Sequence, residues 1–293
     1  MHLKKDKIRL ITDSGCDIPE GWENTYNIDI IPFNIMIDDK EYWERADLKP
    51  QQFYELARNY SGIPKTNQIL PFRIEERFLE CVQRGTEDVI FVTINGSGSQ
   101  TYNNAVQARD SLEKAGKLGG MKIHIVDSHC YSVGYGYPVV EAAKKIKAGQ
   151  SAESIVAYLE DWFSCCEIYL LTFDLRHAKK SGRITAAASV VGELMGIRPV
   201  ISMIDDKTAI IKKARGEKAA VDEAVKIAAE RMIPGTPWIV LRTTCTEMED
   251  YTIAEMTKRT GKPPVMESYS GAAVGSNAGT KFLGMVVKGQ SRR

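Results

Sequence analysis

The sequence predicts an α/β protein of two domains, residues 1–165 and residues 166–293, and three observations predict this fold class. The chain has 293 residues, whereas a single hydrophobic core seldom serves more than about 250–300 residues. Predicted strands and helices alternate through the first half. Near residues 160–167 the pattern changes to one that includes a hairpin.

The first half alternates short apolar runs with segments of helical spacing. Residues 89–94 form a continuous apolar run, which is typical of a buried strand in a parallel sheet. The other predicted strands are residues 8–12, 29–37 and 123–126, and the predicted helices follow Pro50, Pro71 and Ser99 and cover residues 139–146. Strands that alternate with helices need crossover connections, so we expect a doubly wound parallel sheet.

The second half has a different pattern. A predicted strand at residues 168–173 is followed by an alanine- and valine-rich helix at 185–195, which carries almost no charge and should be largely buried. Residues 199–204 and 209–212 flank Asp205-Asp206-Lys207, which predicts a hairpin. A helix at 218–232, a strand at 238–243 and a helix near 248–260 complete the pattern. A hairpin with helices predicts an α+β domain.

The composition bounds the partners of the protein. Lys and Arg number 39 against 38 Asp and Glu, and the formal net charge of +1 argues against binding of nucleic acid. No run approaches the ~20 apolar residues of a membrane-spanning helix. The apolar run at residues 8–11 is too short for a signal-peptide core. We therefore expect a cytoplasmic protein with at most transient membrane contact.

The spacing of cysteines and histidines does not support a metal site. The six cysteines form no C-x-x-C pair, and the four histidines lack H-x-x-x-H spacing. Vicinal Cys165 and Cys166 are most simply read as small buried hydrophobes. A dinucleotide fingerprint, a phosphate loop and a G-x-S-x-G elbow are also absent from the sequence. The sequence therefore predicts no cofactor, no metal and no catalytic residue of these kinds.

Small polar residues gather where three predicted strands end, at Asp13-Ser14, residues 95–101 and Asp127-Ser128. A fourth polar loop, residues 64–68, precedes the helix that begins near Pro71. Ligands of open parallel sheets bind at this edge, and the start of a helix favours an anion. Hydroxyls of Ser97, Ser99 and Thr101 could bind a carboxylate or a phosphate there, although such residues also serve as ordinary helix caps.

Basic residues cluster in the second half of the chain. The two clusters are Lys179, Lys180 and Arg183, and Lys212, Lys213, Arg215 and Lys218. A charge cluster is usually a solvated face, but these clusters flank the predicted apolar helix and the hairpin. Cations beside an apolar wall would match an amphiphile with an anionic head.

Seven segments, in chain order, resemble motifs of the DegV family of bacterial fatty-acid-binding proteins. They are Asp13-Ser14-Gly15-Cys16-Asp17, Lys65-Thr66-Asn67-Gln68, residues 95–102, Val126-Asp127-Ser128 with Gly134-x-Gly136, Lys180-Ser181-Gly182-Arg183-Ile184, Lys213-Ala214-Arg215, and residues 274–279. No single motif is specific. Their order and their span of nearly the whole chain carry the resemblance.

The resemblance implies a Rossmann-like first domain, a second α+β domain of DegV type, and one long-chain fatty acid between them. The residues implied for the carboxylate are Thr66, Asn67, Ser97, Ser99 and Asn277. Some relatives present the bound acid to a separate ATP-dependent fatty-acid kinase. Arg183 and Arg215 match the positions that face the head group and the kinase.

The sequence departs from the family pattern at three places. Asn67 stands where the family has a serine, and no proline directly follows Gln68. Asn277 stands where the family has a histidine, and Asn95-Gly96 replace paired serines. Asparagine forms hydrogen bonds but does not take up a proton near neutral pH as histidine does. Lipid binding is therefore better supported than coupling to a kinase. We expect the acyl chain length to depend on packing around Val190, Leu194, Met195 and Met203.

The leading hypothesis is a non-enzymatic carrier that binds one fatty acid and presents its carboxylate. The alternative is an enzyme that acts on a phosphorylated or carboxylated small molecule and holds the anion at the glycine loop, but no nucleophile–base pair is visible. A DNA-binding regulator conflicts with the charge balance of the chain. In addition, no predicted helix has a basic face that could contact DNA bases.

Overall fold

The structure, a computed structural model, describes residues 7–173, 175–188 and 196–291. The strands are β1 (Ile8–Asp13), β2 (Ile28–Ile31), β3 (Asn34–Ile37), β4 (Lys40–Trp43), β5 (Lys65–Asn67), β6 (Asp88–Thr93), β7 (Lys122–Asp127), β8 (Cys166–Thr172), β9 (Ile197–Ile204), β10 (Lys207–Arg215), β11 (Trp238–Arg242), β12 (Met266–Tyr269) and β13 (Phe282–Lys288). The helices are α1 (Trp22–Tyr26), α2 (Pro50–Asn59), α3 (Pro71–Gln83), α4 (Thr101–Lys114), α5 (Val133–Lys147), α6 (Ala152–Cys165), α7 (Leu175–Ser181), α8 (Thr185–Ala188), α9 (Glu217–Arg231), α10 (Thr246–Thr260) and α11 (Ala272–Ala278).

The first sheet has four parallel strands in the order β2-β1-β6-β7, which confirms the predicted parallel architecture. Strands β1 and β6 lie in its centre and are buried along almost their whole length. Helix α4 connects β6 to β7 and provides the crossover that parallel pairing requires. The carboxyl ends of the four strands therefore share one edge of the sheet.

The prediction of one strand over residues 29–37 is wrong, because the chain changes sheet at Pro32. Strand β2 belongs to the parallel sheet, whereas β3 forms the centre of a small antiparallel sheet in the order β4-β3-β5. Proline has no backbone N–H for a ladder hydrogen bond. The N–H of Phe33, the next residue, donates to the hydroxyl of Ser14 at 2.9 Å instead.

The second sheet has six strands in the order β10-β9-β8-β13-β11-β12. The predicted hairpin is confirmed: β9 and β10 pair antiparallel, and Asp205 and Asp206 at its turn have φ angles of 48° and 64°. This left-handed conformation suits a two-residue hairpin turn. The side chain of Leu171 packs in the core beneath α9, while that of Leu170 faces the first sheet.

The junction between the two halves lies where α6 ends at Cys165 and β8 begins at Cys166. The buried core of the first sheet continues onto the inner face of the second sheet, where it includes Ile168 and Phe282. The division into domains of residues 1–165 and 166–293 stays a prediction.

The predicted apolar helix at residues 185–195 is described only over α8, and residues 189–195 lie outside the described residues. Helix α8 is joined to the hairpin, because the N–H of Ala186 donates to the hydroxyl of Thr208 at 2.9 Å. This contact places Ala186 and Ala187, both buried, beside β10.

Three findings bear on the cysteine, metal and membrane expectations. All six cysteines, including Cys165 and Cys166, are buried, and none of them forms a disulfide. Within the described ranges, three or more His, Cys, Asp or Glu side chains nowhere gather as a metal-binding group, and no helix is long and apolar enough to cross a membrane.

Candidate functional site

A cavity of about 810 Å³ lies between the inner face of the second sheet and the loops that surround the carboxyl edge of the first sheet. This volume falls in the upper part of the ~300–1,000 Å³ range of small-molecule pockets. Its lining has two sides of different chemistry, an apolar floor on the sheet and a polar side on the loops.

The apolar floor is formed by side chains of four strands of the second sheet: Ile168, Leu170, Met203, Leu241, Phe282 and Val286. Gly284 lies among them, paired with Leu170 on one side and with Leu241 on the other. A Cβ at Gly284 would lie 3.4 Å from the Cβ of Leu241, which is ordinary van der Waals contact. The backbone therefore tolerates a side chain there, and its absence leaves space in the cavity.

Part of the polar side comes from the small antiparallel sheet. Asn34 pairs with Trp43 on β4 and with Asn67 on β5, so these three residues share one face. The Asn67 side-chain amide donates to the Asn34 side-chain carbonyl at 2.6 Å. The Arg73 guanidinium carbon lies 4.4 Å from the centroid of the Trp43 ring. All four residues line the cavity.

A second part of the polar side is the loop between β6 and α4, which contributes Ser97 and Ser99, and further polar lining residues include Tyr131 and Asn277. The Ser99 hydroxyl is 2.9 Å from the Thr101 hydroxyl, which in turn accepts from the N–H of Ile69 at 3.4 Å. The side-chain amide of Asn104 donates to the Ile69 carbonyl at 2.8 Å. These bonds join the serine loop to Ile69, which follows β5 and its Thr66, so the two predicted head-group segments are held side by side.

The acids at the strand ends hold the loops in place. Asp13 accepts hydrogen bonds from the N–H of Ile94 at 2.7 Å, the N–H of Gly15 at 3.1 Å and the Tyr135 hydroxyl at 2.5 Å. Burial outweighs these donors and raises the pKa of Asp13 to about 7. Asp127 accepts from the N–H of Gly96 at 3.0 Å. Asp13 is fully buried. It therefore affects the cavity only by fixing the backbone of Ile94 and Gly15.

Helix α11 lines the cavity with residues that include Asn277 and Ala273, and buried acids hold its start. Asp17 accepts from the N–H of Gly271 at 2.8 Å, and Glu44 accepts from the N–H of Ala273 at 2.7 Å. Burial raises the pKa of both carboxyls, and the charge of Glu44 raises that of Asp17 further. The side-chain amide of Asn277 donates to the Ala273 carbonyl at 2.8 Å.

The two predicted arginines are placed differently. Arg183 is exposed and lines the cavity, and its Nη1 donates to the Ser181 carbonyl at 2.8 Å. Arg215 is exposed at the end of β10 and does not belong to the described residues that line the cavity.

Six of the seven predicted site residues come together at this cavity. They are Thr66, Asn67, Ser97, Ser99, Asn277 and Arg183. Met203, one of the four residues expected to set chain length, also lines it, whereas Val190, Leu194 and Met195 lie outside the described residues. The role of each residue stays a prediction.

Sequence reasoning missed Arg73 and Trp43. Arg73 lies in the first turn of α3, next to Phe72, whose side chain is 55% exposed at the cavity. An arginine in the first turn of the helix that follows the predicted head-group loop, next to the apolar residue Phe72, was the signal in the sequence. Trp43 reaches the site through strand pairing that the sequence pattern did not reveal.

The family comparison identifies relatives over almost the whole chain. The family model described as "Uncharacterised protein, DegV family" matches residues 7–289. The DegV domain-containing protein CPE0026 of Clostridium perfringens is 30% identical to this chain. The alignment covers 98% of this chain and 99% of the relative.

Solved structures share the fold. A DegV family protein from Thermus thermophilus, whose structure is described as one of fatty-acid binding, is 23% identical with a TM-score of 0.85, covering 97% of this chain and 100% of that one. A stearic acid-binding protein from Eubacterium ventriosum is 20% identical with a TM-score of 0.85, covering 96% and 98%. Together, the family match and the Clostridium perfringens relative show that the chain belongs to the DegV family.

Proposed function

We propose that the protein binds one long-chain fatty acid in the cavity, with its carboxylate on the polar side and its tail along the apolar floor. The two-sided lining is the observation that carries this proposal. Removal of a methylene group from water contributes about 0.8 kcal/mol. A tail of about 16 methylenes therefore supplies on the order of 10 kcal/mol, before the cost of ordering the chain.

The comparisons support the same ligand class. The proteins from Thermus thermophilus and Eubacterium ventriosum have the same fold and are described as binding a fatty acid and stearic acid, respectively. In this chain the sheet that forms the floor and the loops that form the polar side are both present. The inference from fold to ligand therefore rests on features of this chain as well as on likeness.

Donors on the polar side would hold the carboxylate. A carboxylate that leaves water needs several hydrogen bonds in compensation. The hydroxyls of Thr66, Ser97 and Ser99 and the amides of Asn67 and Asn277 line the cavity and belong to the residue types that donate them. We assign these five residues to the head group.

A carrier is favoured over an enzyme. Among the described residues that line the cavity, the titratable side chains are Glu41, Arg73, Tyr131 and Arg183. A serine nucleophile would need a neighbouring base such as histidine. The described lining contains no histidine, and its acid, Glu41, accepts from the side-chain amide of Asn34 at 3.4 Å. An enzyme that acts on phosphorylated or carboxylated substrates is therefore the alternative proposal and not the leading one.

Presentation of the bound acid to a fatty-acid kinase is a further part of the proposal. Exposed Arg183 lines the cavity and exposed Arg215 ends β10, so both side chains are accessible to a partner. Asn277 in place of histidine favours lipid binding over this coupling. A cytoplasmic location and the division into two domains stand as expectations from the sequence.

The experiment is extraction of the purified protein and mass spectrometry of its lipids, followed by uptake of radiolabelled oleate by delipidated protein. We expect a co-purifying acyl species and saturable uptake. The double substitution Thr66→Ala and Ser99→Ala should weaken oleate binding about 100-fold or more, because each of the two lost donors to a charged group costs about 1.5–3 kcal/mol.

A matched control is the double substitution Ser111→Ala and Ser154→Ala, at exposed positions of α4 and α6. This variant should bind oleate like the unsubstituted protein. Absence of both a co-purifying lipid and any uptake would refute fatty-acid binding. Unchanged affinity in the Thr66 and Ser99 variant would move the head group elsewhere in the cavity.

A further inference from the structure

Arg73 has the position expected of a cationic partner for an anionic head group. It lies six residues after Asn67 of β5, and its guanidinium carbon lies 4.4 Å from the centroid of the Trp43 ring. Trp43 and Asn67 both pair with Asn34, so the guanidinium lies over the sheet face that also carries Asn67. Arg73 therefore lies next to one of the residues assigned to the carboxylate.

The other groups near the polar side are less suited to supply this charge. Arg183 is exposed and donates through Nη1 to the Ser181 carbonyl. Arg215 lies outside the described lining residues. Among the described residues that line the cavity, Arg73 is the cation that comes from the polar wall itself.

The polar side also carries an acid, so a nearby cation would favour binding of a carboxylate there. Glu41 lines the cavity and lies two residues before Trp43, on the same face of β4. A ligand carboxylate beside Asn67 would be repelled by the Glu41 charge unless a positive charge lay close by. Stacking on an aromatic ring also holds the planar guanidinium ready for a carboxylate, which reduces the entropy lost on binding.

We propose that Arg73, held by Trp43, binds the ligand carboxylate and selects an anionic head group over a neutral one. The proposal rests on the proposed function, since it assumes an acyl ligand in this cavity. It assigns a specificity role to a residue outside the motifs that carry the family resemblance.

The test compares radiolabelled oleate with radiolabelled oleyl alcohol, which has the same tail and no charge, on delipidated protein. Arg73→Gln should weaken oleate binding about 10- to 100-fold and change oleyl alcohol binding less than about 2-fold. The control is Arg77→Gln, one turn further along α3, where the arginine pairs with Glu80 at 3.1 Å. It should bind both ligands like the unsubstituted protein.

Each other outcome has a distinct meaning. Unchanged oleate binding by Arg73→Gln would overturn the role of Arg73 and leave fatty-acid binding intact. Equal loss of both ligands would also overturn it, because the residue would then act only through the shape of the cavity. Failure of the unsubstituted protein to bind either ligand would refute the proposed function itself.

Discussion

The Nδ1 atom of His129 lies 2.8 Å from a carboxylate oxygen of Asp206, 77 residues further along the chain. His129 follows β7, two residues before Tyr131, which lines the cavity. Asp206 lies at the turn of the hairpin whose strand β9 carries Met203 of the floor. The pair therefore connects the polar side of the cavity to its floor.

Loss of this contact should speed release of the ligand. Asp206→Gly removes the carboxylate, and glycine accepts the left-handed φ of 64° without strain. Because exposed pairs contribute about 0.2–1 kcal/mol, we expect release to be up to about 5-fold faster. Stopped-flow transfer of a fluorescent fatty acid to albumin measures this rate. Asp205→Gly, at the neighbouring turn position, is the control, and equal rates in the two variants would contradict the prediction.

A side chain at Gly284 should shorten the preferred acyl chain. Gly284→Val places a β-branched group, which suits a strand, into the cavity between Leu170 and Leu241. Affinity for an acid of about 18 carbons should fall relative to affinity for an acid of about 12 carbons. The longer tail loses burial, which costs about 0.8 kcal/mol per methylene group. Calorimetric titration of the delipidated protein measures the ratio.

The control for Gly284 lies on the same strand. Leu283 faces the core beneath α9, and Leu283→Met conserves volume there. This variant should keep the chain-length preference of the unsubstituted protein. An unaltered preference in Gly284→Val would show that the tail does not pass this point of the floor.

The pH dependence of stability should carry the signature of Asp13. Burial raises its pKa from 3.8 to about 7, so the folded chain holds a proton over this range that the unfolded chain has lost. Stability therefore falls as pH rises from about 4 to about 7, by on the order of 4 kcal/mol from this group. The free energy of unfolding, measured with urea as a function of pH, should fall between pH of about 4 and about 7 for the unsubstituted protein relative to Asp13→Asn. Parallel pH dependences of the two proteins would contradict the prediction.

Glu44 should stabilise the placement of α11. Glu44→Ala removes the acceptor for the N–H of Ala273 and should lower the free energy of unfolding by about 1–3 kcal/mol and weaken oleate binding. Glu44→Gln retains an acceptor oxygen and removes a charge near buried Asp17, so its loss should be smaller. Urea unfolding and oleate titration check both variants. Equal losses in the two would contradict the assigned hydrogen bond.

Local patterns predicted much of the fold. The continuous apolar run of β6 and the alternation with helices indicated the parallel sheet, and Asp205-Asp206-Lys207 indicated the hairpin. The loop at residues 95–101 was found because it follows a buried strand, where ligands of parallel sheets bind. These features depend on residues that are close in sequence.

Contacts between distant residues were not predictable in the same way. The hydrogen bond from Gly271 to Asp17 spans 254 residues, and the stacking of Arg73 on Trp43 depends on a small sheet whose strands have three or four residues each. Such short strands leave too few positions for a period-2 pattern. The break at Pro32 also hid the start of that sheet within one apolar run.

The position of β13 has a consequence for the order in which the protein is made. Residues 282–288 form the strand between β8 and β11, whereas the parallel sheet is complete in sequence by Asp127. During synthesis the first sheet can form while β8 and β11 still lack the strand that joins them. The floor of the cavity is therefore complete only after residue 288 has emerged from the ribosome. A ligand can bind in the complete cavity only after all the strands that form this floor have been translated.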